Sequence, residues 1–275
     1  MPLFRKVAII GTGLIGGSLA LGIKKKKLAQ EIVGVSKHKK SISFALKIKA
    51  IDKGSVSLKI IKGADLLIIA TPVDTIIGLK DEILKYIDNK CIVTDVGSTK
   101  ERIVKRLEGA FSNYIGSHPL AGSEKRGIEN ASSDIFSGSL CILTPTKKTN
   151  LSALRNTKRL WKSLGAEVII LTPKVHDRVF SFVSHLPHIV AFSLINTVPG
   201  GLLKFSSGGL KDTTRIAASD TILWRDILLS NRGNLLDAIK LFETNLAKIK
   251  SAIKNNDSQV LEKILLQSKR VRETL

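Results

Sequence analysis

Acidic residues are scarce in this chain: 23 Asp and Glu stand against 44 Lys and Arg, a formal net charge of +21. Cysteine, tryptophan and tyrosine number 2 each and methionine 1. Cys91 and Cys141 sit in apolar runs with no CxxC and no histidine beside them. That argues against a disulfide scaffold and against a zinc module; no metal site is expected, and a reducing, cytoplasmic compartment fits. Aromatic residues are only 5%, too few to form a base-stacking platform among the basic side chains. Lysines are scattered, with a single run at Lys24–Lys27, so nucleic-acid binding is not expected despite the charge. The milder consequence is a field that draws small anions, including a phosphorylated cofactor. The uncharged stretch from Val7 to Ile23 holds five glycines, which makes a poor membrane span or signal-peptide core; no membrane partner is expected.

What is present suits a soluble globular chain. At 275 residues, 43% apolar and 24% charged, there is room for one large domain or two ordinary ones. Short β-branched runs alternate with helical stretches over the first part, the signature of a parallel α/β sheet. Strands are expected at Lys6–Ile10, Ile32–Val35, Ala64–Ala70, Cys91–Asp95, Leu140–Leu143 and Val168–Leu171. Helices are expected at Leu14–Lys27, Asp74–Ile87 and Ser152–Leu164. Gly116–Gly138 reads as a long irregular, functional loop. Beyond Thr172 the pattern is helical throughout. Leu235, Ile239, Phe242, Leu246, Ile249 and Ile253 step by three and four, a seam for another helix or a second copy. Asn255-Asn256-Asp257 ends that helix and caps the next. The expected architecture is an α/β domain over 1–172 followed by an all-helical domain over 173–275.

Gly11-Thr12-Gly13-Leu14-Ile15-Gly16 is a GxGxxG between a strand and a helix. Its glycines serve a tight turn, close approach of backbone to a pyrophosphate, and packing of helix on strand. The helix start then offers free N–H groups to phosphate. An NAD site usually carries Asp or Glu about 20 residues further on, gripping the ribose hydroxyls. Here Ser36-Lys37-His38-Lys39-Lys40 stands in that place. No carboxylate repels a 2′-phosphate and the lysines attract one, so NADP is the expected cofactor. Thr71-Pro72 and Gly97-Ser98 follow two later strands at the sheet edge where ligands of open α/β sheets bind.

Three further segments carry chemistry. In Gly116-Ser117-His118-Pro119, the proline extends the backbone of His118, presenting an imidazole at the sheet edge as a general base. Ser184-His185-Leu186-Pro187-His188 lies in a helical stretch; its interior proline predicts a kink flanked by two imidazoles. Gly208-Gly209-Leu210-Lys211-Asp212-Thr213-Thr214-Arg215 reads as a flexible entry and a helix start, with Arg215 able to clamp a carboxylate.

GTGLIGGSLA, ATPV, DVGSTK, GSHPLAGSEKRG, SHLPH and GGLKDTTRIA, in this order from about Val7 to Ala217, resemble the prephenate and arogenate dehydrogenases of tyrosine biosynthesis. The resemblance implies a Rossmann domain joined to a helical dimerisation domain, a homodimer, and a small-molecule substrate held between the domains. It implies oxidative decarboxylation, with hydride leaving C4 of a cyclohexadienyl ring as the ring carboxylate departs as carbon dioxide. By similarity His118 accepts the 4-hydroxyl proton, Ser98 orients that hydroxyl beside the cofactor, and Arg215 holds a substrate carboxylate. His188, His185 and Glu124 contact the substrate side chain. Gly11, Gly13, Leu14, Ile15, Gly16, Ser36, Lys37, His38 and Thr71 bind cofactor. The Ser36-Lys37-His38 segment resembles NADP-preferring arogenate enzymes, with prephenate the alternative substrate. Two other readings compete. A β-hydroxyacid dehydrogenase commonly relies on a helix-borne lysine, and a redox-sensing NADP-binding regulator would use the basic surface for nucleic acid.

Overall fold

The computed structural model describes residues 1–121 and 127–275. The chain begins with β1 (Phe4–Ile10), α1 (Leu14–Lys25), β2 (Ala29–Val35), α2 (Lys39–Lys47) and the short β3 (Lys53–Ser55). There follow β4 (Leu66–Ile69), α3 (Val73–Gly78), α4 (Lys80–Ile83), β5 (Ile92–Asp95), α5 (Glu101–Leu107) and β6 (Tyr114–Pro119). Then come β7 (Leu140–Thr144), α6 (Leu151–Ser163) and β8 (Glu167–Ile170). The strand order is β3-β2-β1-β4-β5-β6-β7-β8, and every pairing is parallel except β6 with β7.

The continuous apolar runs have a simple cause: the sheet is covered on both faces. Val7 and Ile9 of β1, with Leu66 and Ile68 of β4, enter one core. Ala8, Ile10, Leu67 and Ile69, the residues between them, enter the other. The lysine run ends α1, where Lys24 and Lys25 oppose the helix dipole and pair with Asp52 and Asp134 at 2.6 and 2.7 Å.

Past Ile170 the described chain has no strand. The helices are α7 (Pro173–Phe180), α8 (Leu186–Thr197), α9 (Gly208–Thr214), α10 (Thr221–Ser230), α11 (Arg232–Lys254) and α12 (Ser258–Arg272). Asp257 caps α12 by accepting from the Val260 amide, as its sequence implies. Four expectations need correction. The stretch beginning at Gly116 is not all loop, because β6 runs through it and pairs with β7. The helical stretch at Asp74–Ile87 is two short helices, α3 and α4. Pro187 produces no simple kink between helices: a π turn, Ser181–His185, joins α7 to α8 and absorbs the missing amide. Arg215 stands at the end of α9, where a 3₁₀ turn over Arg215–Ala218 begins, not at a helix start.

Candidate active site

The carboxyl ends of the parallel strands lie along one edge of the sheet. In lateral order that edge presents Ser36 after β2, Gly11 after β1, Thr71 after β4, Ser98 after β5 and His118 near the end of β6. At roughly 4.8 Å per strand, Ser36 and His118 stand about 19 Å apart along the edge. The order change at β1 and β4 is the switch point at which such sheets bind dinucleotides.

The glycines at this point form a cradle. Gly11 has φ +97° and a Cβ there would sit 2.3 Å from the Ala70 carbonyl oxygen; a Cβ on Gly16 would sit 1.8 Å from that of Gly11. Both positions exclude a side chain by packing. Gly13 differs, since a Cβ there would meet nothing within 4 Å. Its absence keeps the space above α1 clear. Gly13 caps α1 without any side-chain bond, and the first turn, with Leu14 and Ile15, holds no acid. The hydroxyls of Thr12 and Thr71 are buried without a partner among the described residues. Free amides, orphaned hydroxyls and open space fit the phosphates of a dinucleotide. Beyond β2, Ser36 Oγ accepts from the His38 amide at 3.2 Å, and Lys37, His38, Lys39 and Lys40 are exposed.

At the far end of the edge His118 heads a hydrogen-bonded chain. Its Nδ1 lies 2.8 Å from His176 Nε2, and His176 Nδ1 lies 2.8 Å from Asp177 Oδ1. Asp177 also accepts the amides of Lys100 and Glu101 at 2.7 and 2.9 Å, which caps α5 from the helical domain. With His176 Nδ1–H donating to Asp177, His176 Nε2 accepts from His118 Nδ1–H, and the His118 Nε2 lone pair is left to accept. That nitrogen has no hydrogen-bond partner among the described residues. Burial, then His176 and the Lys100 ammonium, hold the His118 ring well below the usual histidine range, so it stays neutral near pH 7 with its lone pair free to accept. Burial lowers His176 too, against the opposing bond to Asp177. Phe180 packs its ring 4.9 Å from that of His118.

Sequence reasoning placed His118 at this edge but in a loop; it is held in a strand between β5 and β7. It missed His176 and Asp177, because the pairing spans 58 positions and Val175-His176-Asp177 carries no motif. Ser98 is half-buried on the turn after β5. His188 stacks on Trp224 with ring centroids 3.3 Å apart. His185 is 1% exposed, and its Nδ1 receives the Asn231 amide at 3.1 Å. That ring is therefore enclosed within the helical domain, whereas His188 is only half-buried. Arg215 is exposed with no ion pair among the described residues, on the 3₁₀ turn that packs against α8. Glu124 lies outside the described residues. A cavity of about 680 Å³ at the domain junction is lined by Asp177, Glu101, Lys105 and Asp237 and holds none of the predicted site residues.

Comparison with known proteins agrees with this geometry. Residues 19–170 match the prephenate dehydrogenase nucleotide-binding domain and residues 172–267 the prephenate dehydrogenase dimerization domain. The prephenate dehydrogenase of Bacillus subtilis is 35% identical over 98% of this chain and 76% of its own. A crystal structure of A. aeolicus prephenate dehydrogenase, in complex with hydroxyphenyl propionate and NAD+, is 36% identical, covers 98% of both chains and superposes with a TM-score of 0.94. Synechocystis arogenate dehydrogenase is 27% identical over 98% of this chain and 99% of its own, with a TM-score of 0.86. The chain belongs to the prephenate dehydrogenase family of oxidoreductases.

Proposed function

We propose that the chain carries out NADP-linked oxidative decarboxylation of arogenate, yielding tyrosine. The observation that carries this is the ordered His118–His176–Asp177 chain, which leaves one basic nitrogen open at the same sheet edge as the nucleotide cradle. The bound oxidised nicotinamide supplies the hydride acceptor. Gly11, Gly13, Leu14, Ile15, Gly16 and Thr71 hold the dinucleotide. Ser36, Lys37 and His38 take the 2′-phosphate, where no carboxylate opposes it. His118 Nε2 takes the 4-hydroxyl proton as C4 becomes the phenol carbon, and Ser98 orients that hydroxyl. Arg215 holds a substrate carboxylate and His188 faces the side chain. The ring's gain of aromaticity drives the loss of carbon dioxide, so the protein's work is positioning and proton removal.

Arogenate is favoured by the likeness of Ser36-Lys37-His38 to NADP-preferring arogenate enzymes. Prephenate is the second reading, favoured by the names of the B. subtilis and A. aeolicus relatives. One assay separates them: reduction of NADP and of NAD measured with arogenate and with prephenate. Arogenate with NADP should give the highest kcat/KM; equal or better rates with prephenate, or with NAD, overturn that half of the proposal. Lys37→Asp should move the preference toward NAD.

The domains divide at residue 172 in this reading, and the enzyme is a cytoplasmic homodimer. Both cysteines are free and buried, consistent with a reducing compartment. Pro173–Thr197 is long and apolar enough to cross a membrane, yet only 22% of its most apolar window is buried within one chain. It also carries the buried His176, Asp177 and His185. Its outward apolar side chains are better suited to a second copy than to lipid.

A further inference from the structure

Lys100 is completely buried, an unusual place for an ammonium group unless it has a task. We propose that Lys100 is a positioning residue: it fixes both ends of the hydrogen-bonded chain from His118 through His176 to Asp177, and it sets a fixed positive charge beneath the reacting base. The inference rests on the reading of His118 as that base.

Both ends of this one residue are engaged. Its side-chain Nζ donates to Asp95 Oδ2 and, at 2.8 Å, to the Ser117 carbonyl oxygen. That carbonyl belongs to the peptide that carries the His118 nitrogen. Its main-chain amide donates at 2.7 Å to Asp177 Oδ1, the oxygen that also receives His176 Nδ1. A shift of Lys100 therefore moves the head and the foot of the chain together.

The clasp is itself tied down. Asp95 accepts from the Tyr114 hydroxyl at 2.6 Å and the Gly97 amide at 2.8 Å. Ser117 Oγ is held by Thr94 at 2.7 Å and by the Trp161 indole at 3.2 Å. Ser98, which orients the hydroxyl in this reading, lies on the turn between Gly97 and Lys100. Buried ion pairs give fold stability little over apolar side chains of equal volume, so the pair's contribution here is geometry and charge at the site. The titratable groups facing His118 are Asp95 from the end of β5, Lys100 from the start of α5, Cys141 from β7, and Tyr114 on its own strand. His176 and Asp177 face it from α7, and His185 from the π turn. Among these Lys100, paired with Asp95, acts against an imidazolium on His118.

Lys100→Met alone would strand Asp95 as an unpaired buried charge, so the working variant is Lys100→Met with Asp95→Asn. We expect kcat to fall about tenfold or more while KM stays within about threefold, since the chain loses its register and not its substrate contacts. In Lys100→Met alone, where the Asp95 carboxylate stays, the acidic limb of kcat/KM should move to higher pH. Unchanged turnover, or lost turnover with the limb unmoved or moved to lower pH, would overturn the assignment. A second measurement needs no substrate: in the unaltered enzyme, nitrogen NMR of the histidine rings should find the proton of neutral His118 and that of His176 both on Nδ1, the register the clasp holds. A proton on Nε2 of either ring refutes the clasp even if the variant does not fold. Failure of the unaltered enzyme to oxidise arogenate or prephenate would instead sink the functional reading and leave the NMR result standing.

Discussion

A histidine serves as a base only if its proton sits on the other nitrogen, and in this molecule that choice is made two residues away. Asp177 accepts three hydrogen bonds, from Lys100, Glu101 and His176. With His176 Nδ1–H donating to it, the tautomers of His176 and His118 follow. Asp177→Asn should therefore misdirect the chain without emptying it. We expect kcat to fall roughly 100-fold or more with little change in cofactor affinity, read from steady-state rates and a cofactor titration. An unimpaired kcat would show that the tautomer is set some other way. The contrast in legibility at this scale is instructive. Gly11 and Gly16 could be read from the sequence because their requirement is local, a backbone approach of a few residues. His176 and Asp177 could not, because nothing near Val175 announces that His118 lies across the domain junction.

At the scale of elements, the continuous strands were legible because two-sided burial writes itself as unbroken Val, Ile and Leu. β6 was hidden by Gly116 and Pro119, which usually mark turns. Gly116 is there because a Cβ would stand 2.5 Å from Thr144 Oγ1 on the neighbouring strand, and Pro119 closes the strand where pairing ends. The π turn likewise has no sequence signature beyond Pro187. It turns His185 inward, where burial pushes its pKa down to about 4 from 6.5. Protonation would also put a second N–H against the Asn231 amide at Nδ1. The unfolded chain thus binds more protons than the folded one between those two values. Stability is complete above about pH 6.5 and declines as the pH falls toward 4, by up to about 3 kcal/mol from this group. Thermal unfolding followed across that range should show His185→Gln with a shallower acid loss than the parent. Parallel curves for the two proteins would rule out His185 as a contributor.

For the whole molecule, the unfinished surface is the informative feature. Of the seam in α11, Leu235 is buried at 5% exposure, but Phe242, Leu246 and Ile253 remain 38%, 53% and 62% exposed. Each such side chain contributes roughly 1.5–3 kcal/mol when fully buried, and among the described residues no element of one chain completes their burial. Phe242→Lys with Leu246→Glu should convert the proposed dimer to a monomer in sedimentation; a variant that still sediments as a dimer would place the interface elsewhere. The excess of positive charge is visible in composition, and its field favours anionic ligands at the edge where the nucleotide cradle lies. Composition alone could not have located that edge; the β3-β2-β1-β4-β5-β6 order did.

All of these levels meet in one act, removal of a hydroxyl proton by His118. The most direct test is the turnover of His118→Ala with arogenate and with prephenate, measured beside its affinity for NADP. The account predicts a loss of roughly 100-fold or more in kcat with cofactor affinity nearly unchanged. A variant that turns over at the parental rate, with the parental pH profile, would contradict it.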